Sequence, residues 1–169
     1  MHTAVMKPER TIDVIYLHCT ATEPYKPVPL EVIRRWHVEG RGWSDIGYHY
    51  IIQPDGKLEF GRDVNIAGAH VKGDNKTSIG VCMVGNWDEA VPEPDHIQIQ
   101  VTGKLLAILC KTCDIKPESY GLLLHREAHL YRLGVPNPHK SCPGANIEGR
   151  PMRLFVQSIY NSLYPSERR

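Results

Sequence analysis

Two short runs, Thr11–His18 and Ser78–Val84, are dense in Ile, Val and other apolar residues and show little polar alternation. A strand with one wet face alternates apolar and polar residues; strands of this composition are buried on both faces. Such strands call for a central sheet with helices packed on it. The helices are written between them. Leu30, Ile33, Trp36 and His37 follow helical spacing up to Gly40. Pro94 stands where a first helical position would be, ahead of a stripe of Ile97, Val101, Leu105, Ile108 and Leu109 that runs out near Cys113. Met152–Leu163 reads as a closing helix, whereas Arg126–Arg150, with Pro136, Pro138 and Pro143, reads as a long loop. Tyr48–Gln53 and Lys57–Phe60 flank Pro54-Asp55-Gly56, a hairpin signal. No repeat, low-complexity tract or interdomain linker interrupts the 169 residues. The expectation is an α/β protein: a single domain, 1–169, with a central mixed β-sheet flanked by helices.

Charge and hydropathy narrow the partners. Lys+Arg number 20 and Asp+Glu 19, a formal net charge of +1. A nucleic-acid surface would need a basic excess, so no nucleic-acid partner is expected. No apolar run approaches the roughly 18 residues of a membrane span, so no membrane insertion is expected. The first residues, MHTAVMKPERTID, lack the apolar centre of a signal peptide, which predicts synthesis and retention in the cytoplasm unless something else releases the chain.

The five cysteines are an odd number and argue against a disulfide framework. Cys82 lies in an apolar strand and reads as core. Cys110 and Cys113 form a C-x-x-C, but they end a helical pattern and have no second pair to complete a tetrahedral site. Cys19 follows His18 in a strand, where neighbours point to opposite faces, so the two should not share a site. Cys142 stands in a polar, Pro-rich loop, an odd place for a buried structural thiol.

Nine histidines is a high count. His2, His37 and His96 read as surface or cap residues; His18, His49, His70, His125, His129 and His139 remain as candidates. His18 and His125 each end an apolar stretch, and Cys142 follows in the loop expected over Arg126–Arg150. Two imidazoles and a thiolate meeting at one sheet edge would make a catalytic zinc site with an open fourth position. Spacing alone leaves open a pair of satisfied core histidines and an inert thiol. It also leaves a rival pair, His125 and His129, which would share a face if that segment were helical. Glu127 is not placed as in H-E-x-x-H, so a thermolysin-type site fails on sequence.

Several short runs carry a resemblance: Tyr16-Leu17-His18-Cys19-Thr20-Ala21-Thr22, Gly47-Tyr48-His49-Tyr50-Ile51-Ile52, Gly61-Arg62-Asp63, Gly68-Ala69-His70-Val71-Lys72-Gly73, Ser78-Ile79-Gly80-Val81-Cys82, His125-Arg126-Glu127 and Lys140-Ser141-Cys142-Pro143-Gly144. In order across about 11–144, they resemble the zinc-dependent N-acetylmuramoyl-L-alanine amidases, in particular phage lysozymes of the T-odd type. The peptidoglycan recognition proteins are more distantly similar. The resemblance implies zinc ligands at His18, His125 and Cys142, a catalytic tyrosine at Tyr48 and a catalytic lysine at Lys140. It implies hydrolysis of the bond between N-acetylmuramic acid and L-alanine, with peptidoglycan or muropeptides as substrate. A phage or prophage endolysin would be made in the host cytoplasm and act on the periplasmic cell wall after release. Some phage amidases of this type also bind the phage RNA polymerase; no feature of this sequence decides whether that partner applies here. The segment from Ala128 to His139 looks longer here than in the family, while Lys140 and Cys142 keep their spacing; His129 and His139 are therefore not expected to be ligands.

In an extended loop Lys140 and Cys142 can face one cavity, and the ammonium can meet the negative charge on the carbonyl oxygen. Tyr48 can hydrogen-bond the attacking water or carry its proton. Tyr50 should point to the same side as Tyr48, further from the site. His70, between Gly68 and Gly73, is a candidate substrate-binding residue or a partner that orients a ligand. Trp43 reads equally as a stacking platform or a core anchor.

Overall fold

The computed structural model describes residues 5–88, 93–118, 120–134 and 141–165. Both doubly buried strands form as the apolar runs require. β1 (Val14–Cys19) is buried at every residue. Between it and the hairpin lies α1 (Leu30–Arg41), which runs through Gly40 and stops at a left-handed Gly42. The hairpin strands are β2 (Tyr50–Ile52) and β3 (Leu58–Phe60). A 3-10 turn, Asn75–Thr77, leads into β4 (Ser78–Met83), also fully buried. α2 (His96–Thr112) starts two residues after Pro94, because Asp95 takes the cap and its carboxylate accepts from the Ile97 N–H at 3.0 Å. Then come β5 (Leu122–Leu124), α3 (His125–Tyr131) and α4 (Gly149–Leu163). The stretch expected to be a loop from Arg126 thus begins with a helix.

The five strands lie in the order β3-β2-β4-β1-β5. Only the β2–β3 hairpin is antiparallel, so the sheet is mixed. Alternation divides β1 between two cores. Ile15, Leu17 and Cys19 pack with Leu105, Leu106 and Leu109 of α2 and Met152 and Val156 of α4. Val14 and Tyr16 face the other way, toward Val71, Leu123 and Ala128 of α3. A third cluster seats Ile33 of α1 on Ile46, Ile51 and Val84. His18 follows Tyr16 by two residues and so shares the α3 side of the sheet.

β1 and β5 run parallel, with Leu17 opposite Leu124. The residues immediately after these partners are His18 and His125. A parallel pairing therefore brings the two histidines to the same sheet edge.

Candidate metal centre and cleft

His18 Nδ1 lies 3.0 Å from His125 Nδ1 and 4.0 Å from Cys142 Sγ. The three donor atoms all fall within 4.8 Å of one another, and this His-His-Cys group is the one metal-capable cluster among the described residues. His18 is buried, whereas His125 and Cys142 are half-buried. Cys142 reaches the cluster from an irregular segment. Its carbonyl accepts from the Arg126 N–H at 2.9 Å, and its sulfur accepts from the Cys19 N–H at 3.4 Å. Gly144 (φ +121°) lets this segment lie directly on Trp87, where an added Cβ would come within 2.2 Å of the Trp87 backbone. The Cys19 side chain packs in the α2–α4 core, as the strand alternation demands, but Cys142 borders that core too and the two thiols are hydrogen-bonded, so Cys19 adjoins the cluster without belonging to it. The five cysteines are free thiols; Cys110 is core and Cys113 ends α2, both apart from the cluster.

The other nitrogen of His18 is also engaged. His18 Nε2 lies 3.1 Å from His70 Nδ1, and His70 Nε2 lies 3.4 Å from Ser78 Oγ. Room for the His70 ring depends on Gly80, since a Cβ there would come within 2.7 Å of the imidazole. Asn75 fixes the backbone at this point by accepting from the His70 and Val71 N–H groups, each at 2.9 Å. Burial holds the His70 imidazole well below its ordinary pKa, with His49 and His125 adding to the effect. A neutral His70 can accept from a His18 Nε2–H, which leaves His18 Nδ1 unprotonated and turned toward His125 and Cys142.

Beside the cluster is a cleft of about 620 Å³. α1 supplies His37 and Arg41 to its walls, the segment after Gly68 supplies His70, Lys72 and Asn75, and α3 supplies His125 and His129. Tyr48 and Trp43 complete the lining. The Tyr48 ring sits 5.2 Å from that of His18, and burial pushes its phenol well above its ordinary pKa. His129 shares the helix face of His125, as the i,i+4 spacing allows, and lines the cleft without joining the cluster. Lys140 and His139 lie outside the described residues.

Two readings change here. His37 is not a surface or cap residue: it is buried, its Nδ1 accepts from the Gly47 N–H at 3.1 Å, and burial pushes its pKa down to about 4. Tyr50 does not share a side with Tyr48. It packs in the α2–α4 core and against Phe60, because the chain bends at His49 and breaks strict alternation before β2 begins. His49 is structural: its Nδ1 accepts from the Gly80 N–H at 2.9 Å, and its Nε2 lies 3.0 Å from the Ile66 carbonyl. Trp43 stacks near His37 at 4.9 Å and under Arg41 at 5.3 Å, on the cleft wall.

Comparison with known families decides the kinship. The profile described as N-acetylmuramoyl-L-alanine amidase matches residues 8–145. The chain belongs to this family. It is 51% identical over 83 residues to the endolysin of Enterobacteria phage T3, a match covering 49% of this chain and 54% of that one. That alignment spans only about half of the T3 protein. To the endolysin of Klebsiella phage KP32 it is 40% identical over 120 residues, covering 62% of this chain and 77% of the relative. The solved Ph2119 endolysin from a Thermus scotoductus bacteriophage superposes with a TM-score of 0.69 at 27% identity, covering 91% of both chains. The amidase fold thus accounts for the mixed sheet and its flanking helices. No helix among the described residues is long and apolar enough to cross a membrane.

Proposed function

We propose that this protein hydrolyses the amide bond between N-acetylmuramic acid and L-alanine in peptidoglycan, using a zinc ion held by His18, His125 and Cys142. One observation carries the reading: two imidazole nitrogens and a thiol sulfur converge beside a cleft in a chain of the amidase family. The donor set suits zinc, which takes nitrogen at about 2.0–2.1 Å and sulfur at about 2.3 Å, tetrahedrally. Those lengths imply about 3.3 Å between nitrogens and about 3.6 Å between nitrogen and sulfur. The separations of 3.0 and 4.0 Å lie close to these values. Three protein donors leave one position for water or substrate.

When bound, zinc lowers the pKa of a water and polarises the carbonyl to be attacked. The chain's own residues supply the rest. The Tyr48 phenol, kept protonated by burial, donates a hydrogen bond that orients the attacking water or passes its proton. Lys140, two residues before Cys142, carries the positive charge that meets the developing oxyanion. His70 acts from behind His18, fixing its tautomer and ring orientation. Among the described residues, the charged side chains lining the cleft are Arg41 and Lys72, which suits a stem peptide bearing carboxylates. Relatives named endolysin support action on the cell wall; synthesis in a host cytoplasm and release to the periplasmic side complete the proposal.

The test is metal analysis of the purified protein together with digestion of Gram-negative peptidoglycan. The expected result is about one zinc per chain, new L-alanine amino termini and intact muramic lactyl carboxylates. New reducing sugar ends without new amines would make it a glycosidase and overturn the reading.

A further inference from the structure

Cys142 is the ligand least secured by regular structure. Residues 141–147 contain neither helix nor strand. Several of their carbonyl oxygens nevertheless converge on one side chain. Arg126 Nη1 donates to the Ser141 carbonyl at 3.0 Å and to the Gly144 carbonyl at 2.6 Å, while Nη2 donates to the Ile147 carbonyl. The Arg126 backbone N–H adds the bond to the Cys142 carbonyl. One residue thus grips the chain before, at and after the cysteine, and it directly follows His125.

We propose that Arg126 is a positioning residue that locks Cys142 onto the end of β5, so that the thiolate and His125 meet the same metal ion. The inference rests on the zinc reading above and extends it to a residue outside the three donors. Carbonyl dipoles aimed at a common point repel one another unless a cation sits among them. A guanidinium fits because it is always charged and presents five donors in a rigid fork. A lysine keeps the charge but not the fork. At the sulfur itself the Cys19 N–H donates at 3.4 Å. Other tethers act further out: Asn146 N–H to the Trp87 carbonyl at 2.9 Å, Asn146 Nδ2 to the Asp88 carbonyl at 3.2 Å, and Ser141 Oγ to Asp88 at 3.4 Å. They fasten the segment to the chain after β4. Arg126 ties it to the helix that opens with a ligand.

The experiment compares the full chain with Arg126→Gln and Arg126→Lys. Zinc affinity is measured by chelator competition, and cobalt is substituted to read the thiolate-to-metal charge-transfer band. Arg126→Gln should bind zinc about 10–100-fold more weakly, with Arg126→Lys in between. Absorbance of that band per bound cobalt should also fall, because a displaced Cys142 no longer completes the site. A merely structural role would lower occupancy and leave the intensity per bound cobalt unchanged, so that outcome overturns the proposal. Wild-type zinc affinity in Arg126→Gln overturns it too. If both variants fail to fold while Cys142→Ser folds, Arg126 holds the domain rather than the ligand, and the proposal falls. Failure of the wild-type chain itself to bind zinc would instead remove the metal reading on which this rests.

Discussion

Acid should destabilise this fold well above the carboxylate range. His37 and His49 are 8% and 1% exposed, and burial pushes both imidazoles down to about 4; Arg41 adds to the effect on His37. In the unfolded chain each returns to about 6.5. Between those values the unfolded state binds more protons than the folded one. The stabilisation is therefore complete above about pH 6.5 and is lost as the pH falls toward about 4. From about pH 7 to about pH 5 the linkage relation gives about 2 kcal/mol for each imidazole, so about 4 kcal/mol for the pair. That is a large share of the roughly 5–15 kcal/mol typical of a domain. Urea unfolding followed by circular dichroism, with a chelator present so that metal binding adds no pH dependence, reads this directly. His49→Asn keeps an acceptor near the Gly80 N–H and removes one titrating group. Its loss from about pH 7 to about pH 5 should shrink by about 2 kcal/mol. An unfolding free energy that is flat or rising over that range would refute the reasoning.

Three other outcomes test the site. Cys142→Ser should lose zinc readily to a chelator, whereas Cys110→Ser and Cys113→Ser should keep it; metal analysis after dialysis decides between them. Lys140→Ala and Tyr48→Phe should keep zinc content and Tm near wild type while kcat on muropeptides falls by about 10²-fold or more. His70→Ala should weaken zinc affinity by about 10–100-fold, measured by competition, because it removes the partner of His18 Nε2 rather than a donor to the metal.

What the sequence reveals depends on whether a feature is local. β1 and β4 are legible because burial on both faces writes itself into consecutive residues. α3 is not: seven residues with one buried position, Ala128, are too few to display a helical period. The inward turn of His37 is equally hidden, since a histidine on an amphipathic helix does not announce which neighbour will accept it. The bend at His49 reverses the side on which Tyr48 lies relative to Tyr50, and alternation alone reads straight through it.

The cluster shows both cases at once. Its hydrogen-bond-range contacts join residues 107 and 124 positions apart, a span over which local pattern carries no information. Two of the three donors still leave a trace, because each directly follows an apolar run, His18 after Leu17 and His125 after Leu124. If those strands are parallel neighbours in register, their next residues must meet, and Leu17 opposite Leu124 satisfies that condition. The sequence marks the strand ends but not the order β4-β1-β5 that makes them adjacent. Resemblance to a family supplied that step. Cys142 has no such geometric guarantee. It follows no strand, and its place is set by Arg126, by the Cys19 N–H and by the contact of Gly144 with Trp87. The imidazoles are thus carried by the sheet and the thiol by a hydrogen-bonded loop. The thiol is accordingly the donor whose placement a substitution among that loop's hydrogen-bond partners is expected to change while the sheet stays intact.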